Sequence, residues 1–161
     1  KSLSLKYYPN SVVLSVKSDM KVISFRKITV QIAERILNDE DFEYDQFQFK
    51  SIDDQAAELL AGSDEGELFL DGLSSISNKT AEYLSKFKGD LWLYGLTELS
   101  DAAAESLSKH KGDLSLSGLT ELSDAAAKSL SKHKGEISLN RVESLSQKAR
   151  EYLTKQNIVL P

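Results

Sequence analysis

The sequence predicts an α/β solenoid, a stack of strand–helix units forming one domain over residues 1–161. Three observations carry this expectation. The decapeptide GLTELSDAAA occurs at residues 95–104 and again, unchanged, at 118–127. A glycine, an acid and an aliphatic residue recur every 23 positions, as Gly66-Glu67-Leu68, Gly89-Asp90-Leu91, Gly112-Asp113-Leu114 and Gly135-Glu136-Ile137. A serine then precedes each following proline-free segment, at Ser77, Ser100, Ser123 and Ser146. One such unit cannot bury its apolar face alone, whereas stacked neighbours can, and this is the physical reason for repetition.

In chain order, residues 1–21 read as an N-terminal β-hairpin cap. Leu3 to Tyr7 and Val12 to Val16 flank the turn-forming Tyr8-Pro9-Asn10-Ser11, the pattern of two short strands around a tight connection. Residues 22–65 read as degenerate repeats. Ile23-Ser24-Phe25 with Ile28 and Val30 to Leu37 makes a unit of 24 residues, and Phe47-Gln48-Phe49 with Ile52 and Ala56 to Leu60 makes one of 21. Residues 66–153 hold the regular 23-residue repeats. Each opens on a short strand whose aliphatic residues alternate, as in Leu68 and Leu70 or Leu91 and Leu93, with a turn ending at Leu73, Leu96, Leu119 or Val142. A further aliphatic column follows at Ile76, Leu99, Leu122 and Leu145.

The serine after that column can accept from a free amide of the first helical turn, and Asp101 or Asp124 behind it suits the positive end of the helix dipole. Leu84, Leu107, Leu130 and Leu153 supply the buried side of these helices. The glycines after Lys88, Lys111 and Lys134 are expected to end them. Residues 154–161 end in Ile158-Val159-Leu160, a terminal strand. Six strand–helix units and that strand are thus expected.

Composition narrows the function. A chain of 161 residues with 40% apolar content can bury a sizeable core. Its formal charge of −5, with basic and acidic residues interleaved, lacks the basic patch of a nucleic-acid binder. With no cysteine, disulfides, thiolate metal sites and cysteine catalysis are excluded. No apolar run approaches the roughly 20 residues of a membrane-spanning helix, so no membrane insertion is expected. The chain begins at Lys1 without a signal-like segment, which reads as a processed form or an excised fragment.

The repeated LxLxGLxxLSDxAAxxLxxxxG pattern resembles the leucine-rich repeat family in its bacterial 23-residue form, well over residues 66–153 and loosely over 22–65. The resemblance implies a parallel sheet lining the concave side of an arc, helices on the convex side, and a concave sheet that binds another protein. One departure stands out. The family's usual asparagine after LxL is Leu73, Leu96, Leu119 or Val142 here, so its asparagine ladder is absent.

In strands written x-L-x-L-x the leucines face the core, which leaves three outward columns. The first is Glu67, Asp90, Asp113 and Glu136; the second Phe69, Trp92, Ser115 and Ser138; the third Asp71, Tyr94, Ser117 and Asn140. The 46–50 strand would add Gln46, Gln48 and Lys50. Phe69, Trp92 and Tyr94 should form one aromatic cluster, either a recognition surface or simple cross-strand packing. The acid column requires compensation. Lys88, Lys111 and Lys134 form a parallel row that neutralises it, against a cation site on Asp90 and Asp113 or a charged partner docking on the column.

His110 and His133 occupy one place in successive units and read as repeat-copied surface residues, without the further ligands zinc requires. No serine, histidine and acid set fits nucleophilic catalysis, and no phosphate-binding glycine loop is present. The expectation is therefore a non-catalytic protein- or peptide-binding module with no metal and no cofactor. Phe69, Trp92 and Tyr94 would anchor the partner, with Asp71, Asp90 and Asp113 as rim. The alternatives are a structural role, as a segment of a longer array or an end-to-end homo-oligomer through the C-terminal edge strand, and carbohydrate binding through the aromatic patch.

Overall fold

The backbone of the regular units follows directly from their spacing: an aliphatic pair makes a strand, a serine starts a helix, and 23 residues later the next strand lies beside the first. The structure, a computed structural model, describes residues 4–8, 11–16, 19–23, 27–39, 42, 46–154 and 158–160. Five strands form a parallel sheet in the order β10-β9-β8-β7-β6: β6 (Glu67–Phe69), β7 (Asp90–Trp92), β8 (Leu114–Ser115), β9 (Ile137–Ser138) and β10 (Ile158–Val159). Six helices are present among the described residues: α1 (Val30–Asn38), α2 (Asp54–Ala61), α3 (Asn78–Leu84), α4 (Asp101–Leu107), α5 (Asp124–Leu130) and α6 (Gln147–Leu153). Each packs on the next. Strand and helix alternate from β6 onward, so the fold is α/β.

Register confirms which side chains share a face. Leu68 pairs with Leu91, Leu91 with Leu114 and Leu114 with Ile137, while Phe69 pairs with Trp92 and Trp92 with Ser115. The leucines at the first set of positions, at Leu70, Leu93, Leu116 and Leu139, and at Leu84, Leu107, Leu130 and Leu153 form one continuous core with the alanines of the helices. Burying each such leucine contributes about 1.5–3 kcal/mol, so the column is the main source of stability.

The serines cap as expected. Ser77, Ser100, Ser123 and Ser146 accept from the backbone N–H groups of Thr80, Ala103, Ala126 and Ala149 at 2.9–3.1 Å. They also do something the sequence did not suggest. Each hydroxyl donates to the first helical residue of the preceding unit: Ser77 to Asp54 at 2.6 Å, Ser100 to Asn78 at 2.5 Å, Ser123 to Asp101 and Ser146 to Asp124. A side-chain ladder thus crosses the units at the helix N-termini.

Several expectations need correction. The helices stop before the glycines, at αR caps Ser85, Ser108 and Ser131. The glycine at 112 is required for a different reason: a Cβ there would lie 2.2 Å from the Gly89 carbonyl oxygen of the neighbouring unit. The expected strand at 46–50 is absent. Residues Gln46–Gln48 form a short 3-10 turn, and the strand is β5 (Ser51–Ile52), parallel to β4 (Lys27–Ile28). The cause is register. The Ser74 N–H donates to the Lys50 carbonyl at 3.3 Å, an offset of 24, so Ile52 stands at the place of Ile76 rather than Leu73. Phe47 accordingly points outward at 54% exposure while Phe49 is buried, and Gln46, Gln48 and Lys50 do not extend the outward columns.

The N-terminal hairpin is present as β1 (Ser4–Tyr8) and β2 (Ser11–Val16), and a third antiparallel strand, β3 (Asp19–Ile23), adds to it. Ile23 therefore closes this three-stranded sheet and does not open a repeat. The rest of the expected Ile23-Ser24-Phe25 strand, and the side chains on which a capping role for the hairpin would rest, lie outside the described residues.

Candidate functional site

The face of the sheet opposite the leucines carries the candidate site. On β6 and β7 the exposure pattern alternates around a buried central leucine. Phe69 and Trp92 are therefore on the outward face, and they stack with ring centroids 5.8 Å apart and 15° between planes. Tyr94 lies one turn beyond the strand and is 47% exposed. The third column as a whole sits in the turns after the strands rather than within them. Asp71 is nearly buried, and its carboxylate accepts the Tyr94 N–H at 3.0 Å, which fixes the turn carrying that ring.

The acid column is organised differently from the sequence expectation. Asp90 accepts the Asp113 N–H at 2.9 Å, and Asp113 accepts the Glu136 N–H at 2.8 Å. Each carboxylate thus caps the backbone of the next strand, and this ladder offsets part of the like-charge repulsion through charge-assisted hydrogen bonds. The lysine row does not neutralise it. Lys88 pairs at 2.8 Å with Asp64, and that contact holds the Asp64 carboxyl below the usual carboxylate range. Lys111 and Lys134 make no ion pair among the described residues. Nor do Asp90 and Asp113 belong, among those residues, to a group of three or more potential metal ligands.

Taken together, the three columns hold five carboxylates and no cation. Serines replace the aromatics beyond Trp92. Ser115 and Ser117 are buried, their hydroxyls lie 3.5 Å apart, and Ser117 donates to the Ser138 carbonyl at 3.4 Å. A cavity of about 70 Å³ opens between Trp92, Asp113, Ser115, Glu136 and Ser138. The indole Nε1 is buried and makes no hydrogen bond among the described residues.

His110 and His133 are not surface residues. They are 2% and 3% exposed and stack on each other at 6.0 Å, with Phe87 continuing the column at 6.5 Å from His110. Phe87 stands 23 residues before His110, so the place is an aromatic core position that two units fill with imidazole. Burial, and for His110 also the neighbouring His133, pushes both histidines below their ordinary value. The carbonyls of Ser85 and Gly89 face His110 and those of Ser108 and Gly112 face His133, each favouring the charged form. Among the described residues no hydrogen bond closes on any of the four ring nitrogens.

A depression that the sequence reasoning missed runs along the edge between strands and helices. It encloses about 420 Å³ and is lined by Glu98, Leu99, Glu121, Leu122 and serines of the capping row. The signal was present in the fourth aliphatic column, whose Ile76, Leu99 and Leu145 are only half-buried, with the exposed Glu98 directly before Leu99. No protein-family profile, curated protein or solved structure matches the chain. No helix among the described residues is long and apolar enough to cross a membrane.

Proposed function

We propose that the chain is a non-catalytic binding module, a leucine-rich-repeat-type solenoid whose concave sheet face takes a protein or peptide. The observation that carries this reading is the stacked, outward Phe69–Trp92 pair, with Tyr94 exposed in the turn after β7, bordered by carboxylates already held in place by backbone amides. Rigid aromatic anchors ringed by oriented polar groups are where interface energy concentrates. Their positions come from a hydrogen-bonded sheet, so little ordering cost remains to be met on binding.

Selection of displayed peptides against the folded chain tests this reading. Binders should lose about tenfold or more in affinity for W92A, consistent with a loss of at least ~1.4 kcal/mol at an aromatic anchor. Binders indifferent to W92A, F69A and Y94A alike would remove the concave face from consideration.

An assembly role is the second reading, favoured by one observation. Among the described residues the strand β10 pairs with β9 alone, and Val159 on it is 44% exposed, the kind of edge to which a further strand can add. Light scattering across the micromolar range separates the two: a monomer throughout counts against assembly.

A further inference from the structure

The aromatic column on the outward face stops abruptly. Phe69 covers one face of the Trp92 indole, and the next residue in register is Ser115, followed by Ser138. The rings stack along the sheet, so the second indole face looks toward these serines, and the 70 Å³ cavity lies there. A single water takes about 30 Å³ of liquid volume, so the space admits a small planar group. Its border is acidic: Asp113 and Glu136 line it, and neither is engaged in an ion pair among the described residues. Asp113 spends one carboxylate oxygen on the Glu136 N–H and keeps the other. No lysine or arginine occupies any of the twelve column positions around it.

We infer that this slot receives an arginine side chain of the bound peptide, the guanidinium stacking on the free indole face and donating to Asp113 and Glu136. The inference rests on the reading that this face binds a peptide. Arginine fits where lysine does not, because a planar guanidinium continues a ring stack and presents several donors in one plane to carboxylates and hydroxyls, whereas an ammonium is a compact, strongly hydrated charge. The serines matter by being small. An aromatic residue at 115 would extend the Phe69–Trp92 stack and fill the slot.

The probe is an acetylated, amidated tri-arginine peptide titrated into the full chain, with tri-lysine and tri-citrulline peptides beside it. Trp92 emission and the indole N–H resonance report directly, since Trp92 is the sole tryptophan. Tri-arginine should shift both saturably, with about tenfold weaker responses for the other two peptides. S115F and D113N/E136Q should each weaken the tri-arginine response by about tenfold or more while leaving the far-UV spectrum unchanged. Equal responses to arginine and lysine, both lost in 0.5 M salt, would mean diffuse charge attraction and overturn the slot. No response to tri-arginine, alongside selected peptides that still require Trp92, would overturn the slot and leave the concave reading standing. No response alongside binders indifferent to Trp92 would overturn both.

Discussion

Replacing His110 and His133 by phenylalanine should remove a large part of the protein's sensitivity to mild acid. Both imidazoles are almost wholly buried in a ring column that begins at Phe87, so phenylalanine is the residue the position already uses one unit earlier. Burial lowers both histidines from their ordinary value of about 6.5. The sign follows: below that value the unfolded chain takes up protons that the folded chain resists, so stability rises with pH and is lost as pH falls through 6.5 toward the folded values. The limiting slope is about 1.4 kcal/mol per pH unit for each histidine, or about 2.7 for the pair. Asp90 near His110, Asp113 near His133 and the four facing carbonyls favour the charged imidazoles and so narrow the pH interval over which that slope holds. At neutral pH the change is smaller, because relief of the unpaired nitrogens is opposed by the cost of fitting the larger ring. Urea unfolding followed by circular dichroism at pH 7, 6 and 5 measures the slope. Parallel pH profiles for the wild type and H110F/H133F would refute the reasoning.

Other outcomes follow from the same geometry. S123A removes both a helix cap and a donor to Asp101 of the preceding unit, and should cost about 1–2 kcal/mol in urea unfolding. G112A places a Cβ 2.2 Å from the Gly89 carbonyl oxygen, which must force adjacent units apart; a loss well above the ~1 kcal/mol typical of point substitutions is expected, and a neutral result would mean the units are less closely stacked. Hydrogen bonds from Ser77 and then Thr80 hold Asp54 below its ordinary 3.8, so its contribution is present above that value and disappears as pH falls below it. D54N should therefore flatten the acid limb below pH 4 while leaving the pH 5–7 slope to the histidines.

Much of this protein is legible in the 23-residue spacing. The alternating leucines, the capping serines and the pairing of Phe69 with Trp92 need only local periodicity and the fact that identical units stack in register. The degenerate units are harder to read because Phe47-Gln48-Phe49 fits a strand pattern as well as Leu68-Phe69-Leu70 does; contacts between units, such as that of Ser74 with Lys50, show that the register is 24 and turn Phe47 outward. The histidines misled for a related reason. Next to lysines they look like surface residues, and the comparison that exposes them, with Phe87 one unit earlier, draws its force from the core around them.

The sequence by itself determined the alternation of strand and helix, the aliphatic core and the outward placement of Phe69 and Trp92, because each depends on residues close in the chain or on one fixed period. Only the tertiary structure decided what the polar side chains do. Whether Asp90 repels its neighbours or caps Asp113, whether Lys88 meets the acid column or Asp64, and where the aromatic stack stops against an open cavity depend on distances between units. Hydrogen bonds and ion pairs form or fail within a few tenths of an ångström, whereas hydrophobic burial tolerates such shifts. A repeat period fixes which residues are neighbours, and the packed backbone fixes which of those neighbours bond.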